Sequence, residues 1–473
     1  MSSLGTPENP LRVAIVGSGP AGFYAAESLL TDAERIAEVD MFDRLPTPFG
    51  LVRAGVAPDH PKIKNVIRRY EKTAASEGFR FFGNVEVGRD LSTAELAERY
   101  HAVVYAYGSA TDRQLGIPGE DLPGSHAATE FVAWYNAHPD FADQEFDLTC
   151  ERAVVIGNGN VAADVARMLA LTRSELEETD TADHAIDPMA DNGIREIVVL
   201  GRRGPAQAAF TNPEVRELGE MVDADIVVEA SDCELDELSR EFIESDEADI
   251  TARKNVEIFT EFSQRPLEGK RRRIVLRFLR SPVEIQGDGK VERIIVGRNE
   301  LQRDASGRIR AVDTGEREAI ECGLVFRSIG YSGVPVEGVS FDADRGTIRN
   351  EGGRILDESG SRIEGQYVVG WIKRGPSGVI GTNKKDAQET VDNLLADLEA
   401  GRIPEPALAS DASGIEELLA ERLPDAVVSF QDWEAIDAAE KAKGEPVGRP
   451  RVKFCRIGEM VEVARTAQPV GAE

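Results

Sequence analysis

The stretch "VVIGNGNVAADVAR", Val154 to Arg167, decides how this chain is read. An apolar run enters it without interruption, as a strand buried on both faces does. Gly157, Gly159 and Ala162 then form G-x-G-x-x-A around Asn158, Asn160 and Val161, and helical spacing runs from Val161 to about Leu171. This is the β-turn-α of a dinucleotide-binding unit. The first glycine permits the tight turn, the second lets a pyrophosphate approach the backbone, and the third small residue lets helix pack on strand. The chain has already used the pattern once. "RVAIVGSGPAGFYAAESLL", Arg12 to Leu30, carries Gly17, Gly19 and Gly22, with Ala21 between the last two. Two such units imply two dinucleotides and an α/β chain with two Rossmann-like domains.

The two units differ in how their second strands end. The strand "AEVDMFDR" ends at Asp43, about twenty residues beyond the first turn, where a carboxylate accepts from ribose hydroxyls. The strand after the second turn, "REIVVLGRRGP", ends in Gly201-Arg202-Arg203-Gly204. A carboxylate there would repel a 2′-phosphate, whereas two guanidiniums bind it with charge-assisted hydrogen bonds. FAD in the first unit and NADP(H) in the second is the economical assignment. A third glycine-rich turn, in "GWIKRGPSGVIGTNKKDAQ", contains Trp371, Gly375, Gly378 and Gly381 and precedes a long helix. The helix start could stabilise negative charge on a reduced flavin. By themselves, a core tryptophan and loop glycines fit these residues equally well. His60 and Glu214 carry no signal from their chemistry alone.

The remaining segments are coarser. Residues 46–61 read as a structured loop, succeeded by a helix from Lys62 to about Glu77. Residues 172–193 read as a solvated acidic insertion of helix and loop. "VEIFTEF", "RRRIVLRFLR" and "VERIIVGRNEL" read as an antiparallel β region, and "QYVVGW" as a strand reaching Trp371. The tail from about Gly401 reads as amphipathic helix. A net charge of −30 argues against nucleic acid and anionic membranes as partners. No run of eighteen apolar residues suggests a membrane span, and "MSSLGTPENP" lacks the features of a signal peptide. The 4 cysteines are far apart, with no C-x-x-C pair, and read as buried thiols of a cytoplasmic protein rather than as a redox or iron–sulfur motif.

Together, "VAIVGSGPAGFYAA", "PFGLVRAGVAPDHPKIKNV", "VVIGNGNVAADVAR", "GRRGPAQAAFT" and "YVVGWIKRGPSGVIGTNKKDAQETV" resemble the adrenodoxin-reductase-like ferredoxin–NADP reductases, in particular the actinobacterial type. The resemblance runs from about Arg12 into the C-terminal region. It implies an NADP domain, residues 111–325, inserted into a discontinuous FAD domain of residues 1–110 and 326–473. It implies hydride transfer from NADPH to non-covalent FAD, then single electrons to a separate ferredoxin-type iron–sulfur protein. In matching positions, Ala21, Asp43, Leu51, Val87, Trp371, Gly378, Val379 and Ile380 would contact FAD. Asn158, Gly159, Asn160, Val161, Arg202, Arg203 and Glu214 would contact NADP, with Gly378 near the nicotinamide and Arg113 within reach of it. His60 and Glu214 match a polar pair that orients or shares protons at the nicotinamide site. An acidic carrier would need a basic face. Candidates are Lys62, Lys64, Arg68, Arg69 and Lys72, or the run Gly269 to Arg273. Other readings are an NADPH dehydrogenase subunit of a larger complex and a flavin-bound sensor with little turnover. The joint presence of Arg202, Arg203, His60 and Glu214 argues against the sensor.

Overall fold

The computed structural model describes residues 4–408 and 413–466. They form two compact units. One comprises residues 1–111 and 331–473 and the other residues 112–330, so the chain crosses between them twice.

The first unit opens with strand β1 (Leu11–Val16), helix α1 (Pro20–Leu30) and β2 (Ala37–Asp43). The helix expected from Lys62 to Glu77 is instead two, α2 (Pro61–Lys64) and α3 (Ile67–Ala74). At the break the N–H groups of Asn65, Val66, Arg68 and Arg69 bond three residues back, the tighter turn that interrupts an α-helix. β3 (Phe79–Gly83) and β4 (Ala102–Tyr105) come next. The continuous apolar spelling of β1 has a direct cause. Val13 and Ile15 pack into one core cluster with Ala25 and Leu29 of α1, while Ala14 and Val16 pack into another with Val103 and Tyr105 of β4. Both faces are covered, so neither can be polar.

The second unit contains β5 (Ser125–Ala127), α4 (Ala128–Tyr135), β6 (Arg152–Ile156) and α5 (Asn160–Ala170). The acidic stretch then forms α6 (Arg173–Glu177) and α7 (Asp183–Ala190), and it is not solvated as its composition suggests. Leu176, Thr181, Ala182, Ala185 and Met189 are buried, and the Ala182 N–H donates to the Tyr135 carbonyl at 2.9 Å. Small side chains pack there, and most of the acidic residues face water. β7 (Glu196–Leu200), α8 (Asn212–Leu218) and β8 (Ala224–Val228) precede α9 (Ile250–Gln264). "VEIFTEF" therefore lies in a helix. Its local alternation concealed the longer period, in which Asn255, Ile258, Phe259 and Phe262 share the buried face. β9 (Arg272–Arg277) runs parallel between β7 and β8, another departure from the antiparallel expectation. It alternates because only one of its faces is fully covered. β10 (Arg280–Gln286), β11 (Arg293–Arg303) and β12 (Ile309–Glu321) make a separate antiparallel sheet, and β13 (Leu324–Arg327) returns between β5 and β6. The six-stranded sheet is parallel throughout, in the order β5-β13-β6-β7-β9-β8. Ile285, Ile294 and Val296 of the antiparallel sheet cluster with Val154, Ile156, Val198 and Leu200 of the parallel one. Because β13 is hydrogen-bonded along residues 324–327 to this sheet, the second crossing falls after Gly330 and not at 325/326.

Back in the first unit, β14 (Asn350–Glu351), β15 (Arg354–Leu356) and β16 (Arg362–Val368) complete a sheet ordered β14-β15-β16-β4-β1-β2-β3. β16 stops at Val368, and Trp371 opens the short α10 (Trp371–Arg374). The chain continues through α11 (Thr382–Glu399), α12 (Ser413–Arg422), α13 (Phe430–Gly444) and α14 (Ile457–Thr466). Of the cysteines only Cys322 is fully buried, and burial pushes its thiol up to about 12. Cys150, Cys233 and Cys455 are half-buried, and all four are free. Among the described residues no helix is long and apolar enough to cross a membrane.

A buried ion pair helps to fasten the C-terminal region. Glu440 on α13 is 0% exposed. Its carboxylate takes Arg53 in a two-pronged bond at 2.9 and 2.5 Å, and also accepts from Arg451 at 3.2 Å and the Phe454 N–H at 2.9 Å. These cations hold the carboxyl below its usual range against the cost of burial. Removing one partner leaves an uncompensated buried charge. Glu440→Ala should therefore cost about 3–5 kcal/mol in urea unfolding. Arg53→Met combined with Glu440→Met should cost less than Glu440→Ala alone.

Candidate functional site

Each nucleotide turn sits where its parallel sheet reverses strand order, the place at which open α/β sheets leave a crevice beyond the strand ends. In the first unit this lies between β1 and β4. The Gly17 N–H donates to the Phe42 carbonyl at 2.8 Å on one side. On the other, a Cβ at Gly17 would lie 2.7 Å from the backbone of Ala106, and φ there is +109°. Only glycine fits between the two strands in that conformation. A Cβ at Gly19, by contrast, would meet no protein atom within 4 Å. α1 begins with no side-chain cap, which leaves its first-turn N–H groups for an anion. Asp43, at the end of β2, is partly committed to holding the turn. Its Oδ2 accepts from the Ser18 N–H at 2.9 Å and the Ser18 hydroxyl at 2.5 Å, and its Oδ1 accepts from the Leu45 N–H at 2.9 Å. A carboxylate has roughly four acceptor positions, so capacity for a further donor remains.

Two other segments close on this turn. The Phe49 N–H donates to the Ser18 carbonyl at 3.0 Å, which sets the helical turn beginning at Leu51 beside it. A Cβ at Gly370 would lie 2.6 Å from the Ala21 Cβ, so the third glycine-rich turn rests on the start of α1. Trp371 packs against Tyr331 with ring centroids 5.1 Å apart. The Trp371 indole Nε1 is buried and has no hydrogen-bond partner among the described residues. Gly378 and Val379 are exposed, and Ile380 packs on the core. Val87 is half-buried at the edge of the second core cluster. His60 is half-buried at the head of α2.

The second unit repeats the construction between β6 and β13. The Gly157 N–H donates to the Leu200 carbonyl at 2.9 Å, and a Cβ at Gly157 would lie 2.1 Å from the Ser328 carbonyl oxygen, with φ at +145°. Gly159 is open, with only the Ala209 Cβ at 4.0 Å, and α5 also starts uncapped. The Asn158 Nδ2 is buried without a partner among the described residues. Asn160 braces the turn, since its Oδ1 accepts from the Thr211 N–H at 2.8 Å, and Val161 is half-buried on the first turn of α5. Beyond β7, Arg202 is exposed and Arg203 half-buried, and neither guanidinium has an acidic partner among the described residues. Burial holds the Arg203 pKa below its usual value, and the positive charges of Arg202 and Arg310 lower it further. Glu214, in the first turn of α8, is 7% exposed, and Arg167 donates to it at 3.2 Å. Sequence patterns did not reveal Arg167 as the partner of Glu214. Its only signal was an arginine on the apolar face of α5, where it also bonds Asp164 at 2.7 Å. Arg113 is exposed, near the crossing, with its N–H on the Gly330 carbonyl at 3.0 Å.

Of the two basic stretches, one fails as an open face. In Gly269 to Arg273, Arg272 is 0% exposed and bonds Asp223 at 3.0 Å. Arg271 pairs with Asp223, Arg273 with Glu196 and Lys270 with Glu268. In the other, Arg69 pairs with Glu27 at 2.8 Å, while Lys62, Arg68 and Lys72 are exposed.

Two uncapped helices and two open central glycines, each at the switch point of its sheet, define a protein that binds two dinucleotides. Comparison with known proteins agrees. Residues 11–200 match the pyridine nucleotide-disulphide oxidoreductase family. NADPH-ferredoxin reductase FprA of Mycobacterium leprae is 52% identical over 97% of this chain and 99% of its own length. The mitochondrial NADPH:adrenodoxin oxidoreductase of Salvelinus fontinalis is 42% identical over 98% of this chain and 93% of its own. The structure of Mycobacterium tuberculosis FprA in complex with NADPH superposes with a TM-score of 0.90 at 50% identity, covering 97% of this chain and 100% of that one. The chain belongs to the adrenodoxin-reductase-like ferredoxin–NADP reductases.

The two glycines of the first turn should separate by experiment. Gly19→Ala should leave the unfolding midpoint of the nucleotide-free protein unchanged and abolish retention of the dinucleotide through purification. Gly17→Ala should lower the midpoint itself, because the added Cβ meets backbone that cannot move aside.

Proposed function

We infer that the chain is an FAD-dependent NADPH:ferredoxin oxidoreductase. The first unit holds FAD through Gly17, Gly19, Ala21, Asp43, Leu51, Val87, Trp371 and residues 378–380. The second holds NADP(H) through residues 158–161, Arg202, Arg203 and Glu214, with Arg113 in reach. When bound, FAD would supply the conversion between a two-electron donor, NADPH, and a one-electron iron–sulfur carrier.

The observation that carries this reading is the contrast between the two strand ends. β2 ends in an acid that braces its turn, whereas β7 ends in two guanidiniums without an acidic partner among the described residues. A 2′-phosphate relieves the mutual repulsion of that pair and supplies the charge it lacks. Uncapped helix starts and open glycines receive the two pyrophosphates, and the orphaned Trp371 Nε1 and Asn158 Nδ2 offer donors to the bound groups. Glu214, fixed by Arg167, and His60 orient the nicotinamide and hold or share a proton there. Neither forms a covalent bond. An acidic carrier docks on the face of Lys62, Arg68 and Lys72 beside the flavin loop. With a net charge of −30 the long-range field opposes such a partner at low salt, and screening at physiological ionic strength leaves the local attraction.

An anaerobic titration should bleach the flavin at far lower NADPH than NADH. A loaded flavin that neither nucleotide reduces would overturn the reductase reading. Arg202→Ala with Arg203→Ala should cut the NADPH/NADH ratio of kcat/KM by on the order of a hundredfold, the loss of two charge-assisted contacts. Lys62→Glu, Arg68→Glu and Lys72→Glu together should raise KM for a ferredoxin while leaving flavin reduction by NADPH unchanged.

A further inference from the structure

The antiparallel sheet β10-β11-β12 has no part in the dinucleotide fingerprint, yet it grips the segment that carries the arginine pair. Asn299 on β11 is 4% exposed. Its Nδ2 donates to the Arg202 carbonyl and to the Ser281 hydroxyl, both at 2.8 Å. Its own N–H donates to the Leu279 carbonyl at 2.8 Å. The Leu279 N–H in turn donates to the Arg203 carbonyl at 3.1 Å, and the Arg280 N–H to the Gly201 carbonyl at 2.9 Å. Three successive carbonyls, of residues 201, 202 and 203, are thus fixed from residues 279–299. Leu279 adopts φ +53° to do this, a conformation a branched side chain rarely takes.

The same sheet also touches the end of this segment. Leu301 Cδ1 lies 3.8 Å from where a Cβ of Gly204 would stand.

We propose that this sheet is part of the 2′-phosphate subsite. Asn299 is a positioning residue that sets the Arg202 and Arg203 backbone. The proposal rests on the assignment of the 2′-phosphate of NADP(H) to Arg202 and Arg203. A donor fixed on the Arg202 carbonyl holds the peptide plane, and with it the direction in which both flanking side chains leave the chain. A guanidinium set in advance loses less entropy on binding.

The test compares binding of 2′,5′-ADP and 5′-AMP, which differ only by the 2′-phosphate, to the FAD-loaded full chain by calorimetry. Asn299→Ala should weaken 2′,5′-ADP about tenfold, the loss expected of one buried hydrogen bond, and leave 5′-AMP within about twofold. In turnover it should raise KM for NADPH and leave kcat and the NADH kinetics unchanged. Asn299→Ser is a smaller change that draws the donor back from the Arg202 carbonyl, and it should weaken 2′,5′-ADP several-fold. Equal weakening of both ligands by Asn299→Ala would show a merely structural role and overturn the positioning claim. Unchanged 2′,5′-ADP affinity in both variants would overturn the proposal as a whole. If Asn299→Ala does not fold, Asn299→Ser decides. Arg202→Ala with Arg203→Ala separates the two levels. If that variant binds 2′,5′-ADP as well as the parent does, the arginine assignment itself fails. If it loses 2′,5′-ADP while Asn299→Ala and Asn299→Ser keep it, only the role of the sheet fails.

Discussion

The constraint on which the molecule depends is steric, and it occurs twice. Gly17 and Gly157 each thread the chain between two parallel strands at the point where strand order reverses. A Cβ there would stand 2.7 Å and 2.1 Å from the backbone across the gap. The squeeze has a consequence one turn later. With the strand exit held tight, the next helix starts close to the sheet, and its uncapped first turn and open middle glycine lie at the crevice. The sheets supply the rigid frame, and binding capacity comes from what the turn cannot carry.

Electrostatics then divides the two crevices by function. In the first, the acid at the end of β2 spends most of its acceptor capacity on Ser18 and Leu45, so it rigidifies the turn. In the second, positive charge is gathered. Burial, and then the positive charges of Arg202 and Arg310, depress the basicity of Arg203 in a chain that is otherwise strongly acidic. Hydrogen bonds from residues 279–299, outside the nucleotide fold proper, fix the backbone beneath the pair.

The C-terminal helices obey a similar logic in the first unit. Glu440 closes on Arg53, and the Lys453 ammonium donates to the Arg53 carbonyl at 3.2 Å. Arg53 belongs to the turn that begins at Leu51, and Phe49, just before that turn, bonds Ser18. A chain of direct contacts thus runs from the tail to the nucleotide turn, and each link is a buried or half-buried polar group satisfied by its neighbour.

By itself the sequence determined the elements whose signals are local and mutually consistent. Two apolar strands, two glycine turns with their helices, Asp43 and the arginine pair were all legible, because each rests on steric or charge rules acting within a few tens of residues. Local pattern misled where burial on one face mimicked another structure. The alternation in 256–262 looked like a strand and is one side of α9, the alternation in β9 looked antiparallel and is parallel, and the acidic insertion looked solvated and packs its alanines inward. Tertiary structure alone decided which buried polar groups meet. Arg272 with Asp223, Arg53 with Glu440, Arg167 with Glu214 and Asn299 with the Arg202 carbonyl are 49, 387, 47 and 97 residues apart in sequence. No local rule couples such distant positions. They are brought together only when the sheets form, and each is satisfied because leaving it unpaired inside the protein would cost more than ordering its partner.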